Sequence, residues 1–148
     1  MRERALAEMA GEYAKRLGKY CALEIIEIQD ESVSARESDA TVKKRILDES
    51  RRISERFKTD SYVIALDMRG AAVDSEGFAE NIRALTGRLP EIIFVIGGSH
   101  GLHSEILERA NCVVSMSNLT FPHQLARLIL LEQLFRAFKI INNETYHK

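Results

Sequence analysis

Apolar positions along this chain switch between two repeats. Ala5, Leu6, Met9, Ala10, Tyr13 and Leu17 recur at helical spacing, and Leu23-Glu24-Ile25-Ile26-Glu27-Ile28 follows as a short, β-rich run that predicts a strand. From about Asp39 to Phe57 a charged segment places Val42, Ile46, Ile53 and Phe57 on one stripe, which predicts a surface helix with one buried face. Tyr62-Val63-Ile64-Ala65-Leu66 reads as the next strand. Asp74 or Ser75 can cap a helix carrying Phe78, Ile82 and Leu85 that ends near Gly87 and Pro90. Glu91 to Ile96 then predicts a buried strand, Ser104 to Ala110 a short helix, Cys112 to Met116 another strand, and a long last helix begins near Pro122. Continuous apolar strands separated by helices imply an α/β layer architecture, a mostly parallel sheet with helices on both faces. No repeat, linker or low-complexity tract interrupts it, and 148 residues suit a single domain.

The last helix stands apart from the others. Leu125, Leu128, Ile129, Leu131, Leu134, Phe135 and Phe138 cover more of it than one buried face requires, so it is expected to pack on its own sheet and on a second subunit across a two-fold axis. Glu132, Arg136, Lys139 and Asn143 line the remaining narrow strip. That strip reads either as a solvated face with an ordinary ion pair or as a working surface. The chain closes on Tyr146-His147-Lys148, a tail that reads as docked and used, because dispensable ends are usually polar and frayed.

Composition narrows the classes. No apolar run is long enough to cross a bilayer, and the N-terminus lacks the pattern of a signal peptide, so no membrane association and a cytoplasmic location are expected. Cys21 and Cys112 have neither redox-pair nor zinc-knuckle spacing and are expected as buried free thiols. A net charge of -1 argues against a generally basic nucleic-acid binder. Only residues 122–148 lean basic, with four cations to two carboxylates, so a nucleic-acid partner would be held by a local patch or by one summed across two subunits.

Ligands in such sheets sit beyond the carboxyl ends of the strands. Three strand ends qualify: Leu66-Asp67-Met68-Arg69-Gly70, Gly97-Gly98-Ser99-His100-Gly101 and Met116-Ser117-Asn118-Leu119-Thr120-Phe121-Pro122, each read as a turn. The glycine turn is either a tight βα connection or a place where backbone approaches a flat ligand. It has neither a Walker Gly-Lys-Ser/Thr nor a dinucleotide glycine spacing, which disfavours phosphate as the ligand there. Asp67 reads as a strand-end residue bonding the following turn. His100, His103, His123 and His147 do not form a helix-borne ligand pair and have no cysteine cluster beside them, so no metal is expected.

These strand ends, together with Asp74-Ser75-Glu76-Gly77-Phe78-Ala79, Leu119-Thr120-Phe121-Pro122-His123-Gln124 and Leu131-Glu132-Gln133-Leu134-Phe135-Arg136-Ala137-Phe138-Lys139-Ile140, closely resemble the bacterial large-subunit ribosomal RNA pseudouridine N3-methyltransferases of the SPOUT class. The resemblance runs in order from about Tyr13 to Lys148 and includes the Tyr-His-Lys tail. It implies an α/β fold with a C-terminal trefoil knot, an obligate homodimer, S-adenosylmethionine as cofactor, and methylation of N3 of a pseudouridine in ribosomal RNA of the assembled ribosome. Carried over by motif, the cofactor-binding positions are Leu66, Gly97, Met116, Ser117, Asn118, Leu119, Thr120 and Phe121. Apolar side chains would sandwich the adenine, backbone groups would read its edge, and Gly97 would leave it room.

The imide N3 of the target base is weakly nucleophilic while protonated, so a base or an anion-stabilising charge is needed. Arg136, Tyr146 and His147 are the candidate catalytic residues, with His123 a possible pocket residue. Two departures from the family stand out. Its opening strand, ending in a Val-Gly-Lys turn, precedes the helix with which this sequence begins, so residues 1–148 read as a single SPOUT domain without that strand. Ala71 follows Gly70 where lysine is common. A transfer-RNA methyltransferase of the same fold and a non-catalytic ribosome-binding dimer are the alternative readings.

Overall fold

The computed structural model describes residues 2–28, 38–97 and 101–146. The element order is α1 (Arg2–Leu17), α2 (Asp39–Ser54), β1 (Tyr62–Ala72), α3 (Ser75–Leu85), β2 (Ile92–Ile96), α4 (Ser104–Arg109), β3 (Cys112–Ser115) and α5 (His123–Ile141). The chain divides into two compact units. One comprises residues 26–71 and 90–116, the other residues 1–25, 72–89 and 117–148.

The first unit is a three-stranded sheet of order β2-β1-β3, in which β1 and β2 run parallel from Tyr62 against Ile92 to Leu66 against Ile96. Val63, Ala65 and Val95 meet Leu102 and Ile106 in its core, with Ile53 and Phe57 from the α2 segment packed against them. Ile53 and Phe57, at the C-terminal end of the stripe expected from spacing, thus face this core, and Ser50 lies buried on the same stripe. Ser38 starts this helix by accepting a bond from the Thr41 amide at 3.3 Å. Asn111 stitches β3 to the start of β1: its side-chain oxygen accepts from the Val63 amide and its own amide donates to the Val63 carbonyl, both at 2.8 Å.

Two expectations fail in this region. β1 does not stop at Leu66 but continues to Ala72, so Asp67 to Gly70 are strand residues and not a turn. Backbone pairing carries the strand past the point where its apolar run ends. Gly70 permits this, because a Cβ there would sit 2.6 Å from the backbone of Val113 and Val114. Conversely, Leu23 to Ile28 form no strand despite their β-rich composition. Strand propensity is a preference for a pleated, half-buried surface, and here Ile25 and Ile26 stand exposed with no ladder to join.

The second unit is helical, with α5 packed along both α1 and α3. These two helices take up much of the apolar breadth of α5, burying Leu128, Leu130, Leu131, Leu134, Phe135 and Ala137. On α1 the inward stripe is Leu6, Ala10, Tyr13 and Leu17, while Ala5 and Met9 point outward, Met9 with 53% of its surface exposed. Steps of four, three and four keep one face inward; positions 5 and 9 lie about 100° around from it. Asp74, not Ser75, caps α3 by accepting from the Gly77 amide at 2.7 Å. Ser75 instead donates to Gln133 on α5 at 2.7 Å.

Candidate functional site

At the sheet's carboxyl edge a carboxylate organises the chain. Asp67, with only 9% of its side chain exposed, accepts from the Arg69 amide (2.9 Å), from Arg69 Nε (2.8 Å) and from an Arg69 terminal nitrogen (2.9 Å). The same terminal nitrogen of Arg69 donates to the Leu102 carbonyl at 2.9 Å, and the Leu102 backbone also hydrogen-bonds the Asp67 carboxylate. The pair thus clips both polar groups of one peptide segment to the middle of β1. The bonds from Arg69 hold Asp67 below the usual carboxylate range, against an opposing push from burial.

Gly97 and Gly101 meet under this clip. A Cβ on Gly97 would lie 2.7 Å from the Gly101 carbonyl carbon and 3.0 Å from its oxygen, so that space is filled by returning backbone and is not left open for a ligand. Gly101 has φ of +78°, a left-handed conformation suited to glycine. Leu66 and Ile96, register partners at the last β1–β2 pair, and Met116 after β3 are half-buried. His103 caps α4, its Nδ1 accepting from the Glu105 amide at 3.1 Å. Gly98, Ser99 and His100 lie outside the described residues.

Of the remaining cofactor positions, in the helical unit, Ser117 and Phe121 are half-buried, while Asn118, Leu119 and Thr120 are exposed, Leu119 by 69%. The Ser117 hydroxyl accepts from the Leu119 amide at 2.9 Å, closing a local turn. His123 is the exposed first residue of α5, behind a Pro122 cap.

The same helical unit brings Arg136 and Tyr146 together. α5 ends at Ile141, and Asn143 adopts φ of 55° beyond it, so Asn143 belongs to a reversing turn and not to the helical strip. The Glu144 amide reaches back to the Lys139 carbonyl at 2.8 Å, a Schellman-like closure. This reversal folds the tail along its own helix. Tyr146 donates to Glu132 at 3.3 Å and sets its ring edge-on to Phe135, centroids 5.1 Å apart. Arg136 binds Glu132 through two nitrogens, at 3.1 and 2.6 Å, and lies 4.9 Å over the Tyr146 ring. Glu132 also accepts from Gln133 at 2.8 Å, which links it to Ser75.

Tyr146 shares a further hydrogen bond with Tyr13 on α1. That bond, burial and the charge of Glu132 push its phenol up to about 12. A phenol held there is a donor near neutral pH, not a base. The bond to Glu132 raises Arg136 above its ordinary value, so its charge is fixed. Tyr13 is the participant that sequence reasoning assigned no role, while Glu132 forms the ion pair with Arg136 that their spacing offered as one reading. Tyr13 carried one signal, a hydroxyl on an otherwise apolar stripe. His147 and Lys148 lie outside the described residues.

Cys21 and Cys112 are free and half-buried, each at the edge of an element instead of inside the core, and burial raises the Cys21 thiol. Among the described residues, no three His, Cys, Asp or Glu side chains converge as a metal site, and no helix is long and apolar enough to cross a membrane.

An α/β chain with a glycine-closed strand end and a docked C-terminal helix defines a class, and comparison with known proteins supplies the family. The family described as "Predicted SPOUT methyltransferase" matches residues 1–147, and the chain belongs to it. Among solved structures the chain is similar to "the structure of a probable methylase family protein from Haemophilus influenzae Rd KW20", with 20% identity and a TM-score of 0.43 over 75% of this chain and 53% of that one. It thus spans about half the length of that protein. Methyltransferases of this family generally use S-adenosylmethionine as their cofactor. At the sheet edge, Leu66, Ile96 and Met116 suit an adenosine-bearing cofactor, as half-buried apolar side chains at strand ends.

Proposed function

We propose that this chain methylates N3 of a pseudouridine in large-subunit ribosomal RNA, acting as a homodimer on the assembled ribosome, with S-adenosylmethionine held at the strand ends by the side chains of Leu66 and Met116 and the backbone at Gly97. What carries the reading is the folded-back tail, which sets Tyr146 against Arg136 at the residues whose motif resembles that RNA methyltransferase family. The cofactor supplies an electrophilic methyl group. The chain's own task is to make a weakly nucleophilic imide nitrogen reactive and to hold it in line. As N3 takes up that methyl group it would have to give its proton to a base.

Arg136 keeps its charge at every physiological pH and is fixed by Glu132 and the Tyr146 ring. It is suited to stabilise the imide anion or grip a phosphate. Tyr146, whose one O–H is given to Glu132, orients Arg136 through its ring. The proton then falls to His147, or to water, since imidazole titrates near neutrality. Leu119 and Met68, both exposed apolar side chains, leave surface for a substrate or a second copy of the chain.

The test is methyl transfer to large ribosomal subunits and to assembled ribosomes, comparing the natural chain with Arg136→Ala and His147→Ala. Each substitution is expected to lower turnover by about 100-fold or more. Unchanged turnover in both sinks the assignment of roles. Methylation of transfer RNA alone moves the reading to the sibling activity, and the absence of any cofactor binding moves it to a non-catalytic dimer.

A further inference from the structure

A groove of about 470 Å³ runs between the end of α1 and α5, inside the helical unit. Lys15, Arg16 and Lys19 project into it from α1 and its following turn, and Lys139 joins them from α5. Glu12 is the one carboxylate on its lining. The floor is aromatic. Arg16 lies 5.9 Å above the Phe135 ring and 5.5 Å from that of Tyr13, Lys19 lies 5.8 Å above Tyr20, and Lys139 spans Phe135 at 5.3 Å and Tyr20 at 5.7 Å.

How these cations are held decides what the groove can do. Lys139 is ion-paired to Glu144 at 2.8 Å, and the charge of Lys19 also acts on that carboxylate, but among the described residues Lys15, Arg16 and Lys19 have no carboxylate within ion-pair distance. Ring faces position a cation through their quadrupole without neutralising it or consuming its N–H donors. The result is a row of exposed, pre-oriented positive charge on a chain whose net charge is -1. Cations in the last turn of α1, and Lys139 in the last turn of α5, suit the dipoles of their helices, yet neither dipole accounts for the two sets converging on the same rings.

We infer that this groove is a binding site for the phosphate backbone of RNA, separate from the Arg136–Tyr146 cluster. The choice of polymer rests on the RNA-methylation reading. Several cations along one helix edge track a string of charges better than a single anion. Because cations already lie over the rings, bases gain no open stacking surface, and the contact is to backbone and independent of sequence. It lets a weakly acidic enzyme hold an RNA substrate through a local patch.

The experiment measures binding of a fluorescein-labelled single-stranded RNA of about twelve nucleotides to the full chain by anisotropy, from about 50 to 200 mM salt. The Lys15→Gln/Arg16→Gln/Lys19→Gln variant alters exposed side chains, and its melting curve checks that it folds. Affinity is expected to fall at least tenfold, with the slope of log affinity against log salt flatter by about 2, since each phosphate contact on a single strand contributes about 0.7. Equal affinity in the variant, no RNA binding by the natural chain, or an equal loss on changing Lys43, Lys44 and Arg51 to Gln on α2 overturns the inference. So does a change in sedimentation without a change in RNA affinity, which assigns the groove to a second copy. Calorimetry with S-adenosylmethionine on the same samples separates the two ideas. Cofactor binding with RNA affinity unaltered in the variant defeats the groove alone, and RNA held in the groove without cofactor binding defeats the methyltransferase reading alone.

Discussion

Asp67 has the most demanding surroundings of any single residue described, since its carboxylate is largely withdrawn from water and satisfied by Arg69 and the Leu102 backbone. Charge-assisted bonds of this kind contribute about 1.5–3 kcal/mol, and the exposure of Arg69 argues for the lower end. Asp67→Asn is therefore expected to cost about 1–2 kcal/mol, read as a lower melting temperature at neutral pH. Because the folded protein holds Asp67 below its unfolded value, its contribution is present above the ordinary carboxylate range and is lost as pH falls through and below about 4. The variant should accordingly show a shallower loss of stability between neutral pH and about pH 3. Tyr146 has the opposite sign. Its phenol is raised from 10.0 to about 12, so the neutral form is what folding stabilises, fully below pH 10 and decreasingly as pH climbs toward 12. Ultraviolet titration should show a tyrosine ionising near pH 12, and this step should vanish in Tyr146→Phe. That variant keeps the ring on Phe135 and under Arg136 while losing a donor, so about 1 kcal/mol of stability and roughly ten- to 100-fold in methyl transfer are expected to go with the hydroxyl.

Among elements, the helix starts and the hydrophobic strand cores were legible from spacing, because burial imposes a period on the sequence. Asp74 at the head of α3 and the apolar stripe of α2 are where the pattern placed them. What stayed illegible depends on partners distant in the chain. β1 extends past its apolar run because β3 backbone comes close at Gly70, and Leu23 to Ile28 fail to form a strand because no ladder receives them. Gly70→Ala should thus destabilise the sheet by about 1–3 kcal/mol, seen as a lower urea midpoint, since the clash is with backbone that cannot swing aside. The tail is the clearest case at the site. Its residues could be read from their motif, but the reversal that brings Tyr146 onto Glu132 depends on Asn143 adopting φ of 55°. Asparagine tolerates that conformation and a β-branched residue does not. Asn143→Val is expected to release Tyr146 from its partners at a cost of about 1–2 kcal/mol, and a Tyr146 phenol returned toward 10 reports it.

At the scale of the molecule, Leu66, Gly97 and Met116 lie in the sheet unit, while cofactor positions 117–121 and the catalytic candidates Arg136 and Tyr146 lie in the helical unit, so binding at the strand ends and chemistry at Arg136 can be perturbed separately. A ligand that binds only the folded chain stabilises it by about 2.7 kcal/mol at 100 times its dissociation constant. For a chain of 148 residues this corresponds to a rise in melting temperature of roughly 5–10 °C. Saturating S-adenosylmethionine should produce that rise in the natural chain. It should produce the same rise in Arg136→Ala, because Arg136 is tied to Glu132 and Tyr146 and is assigned to the RNA base, not to the cofactor. Loss of methylation with the thermal shift intact places Arg136 in the chemical step. Loss of both means that Arg136 has to be reassigned from reaction to scaffold.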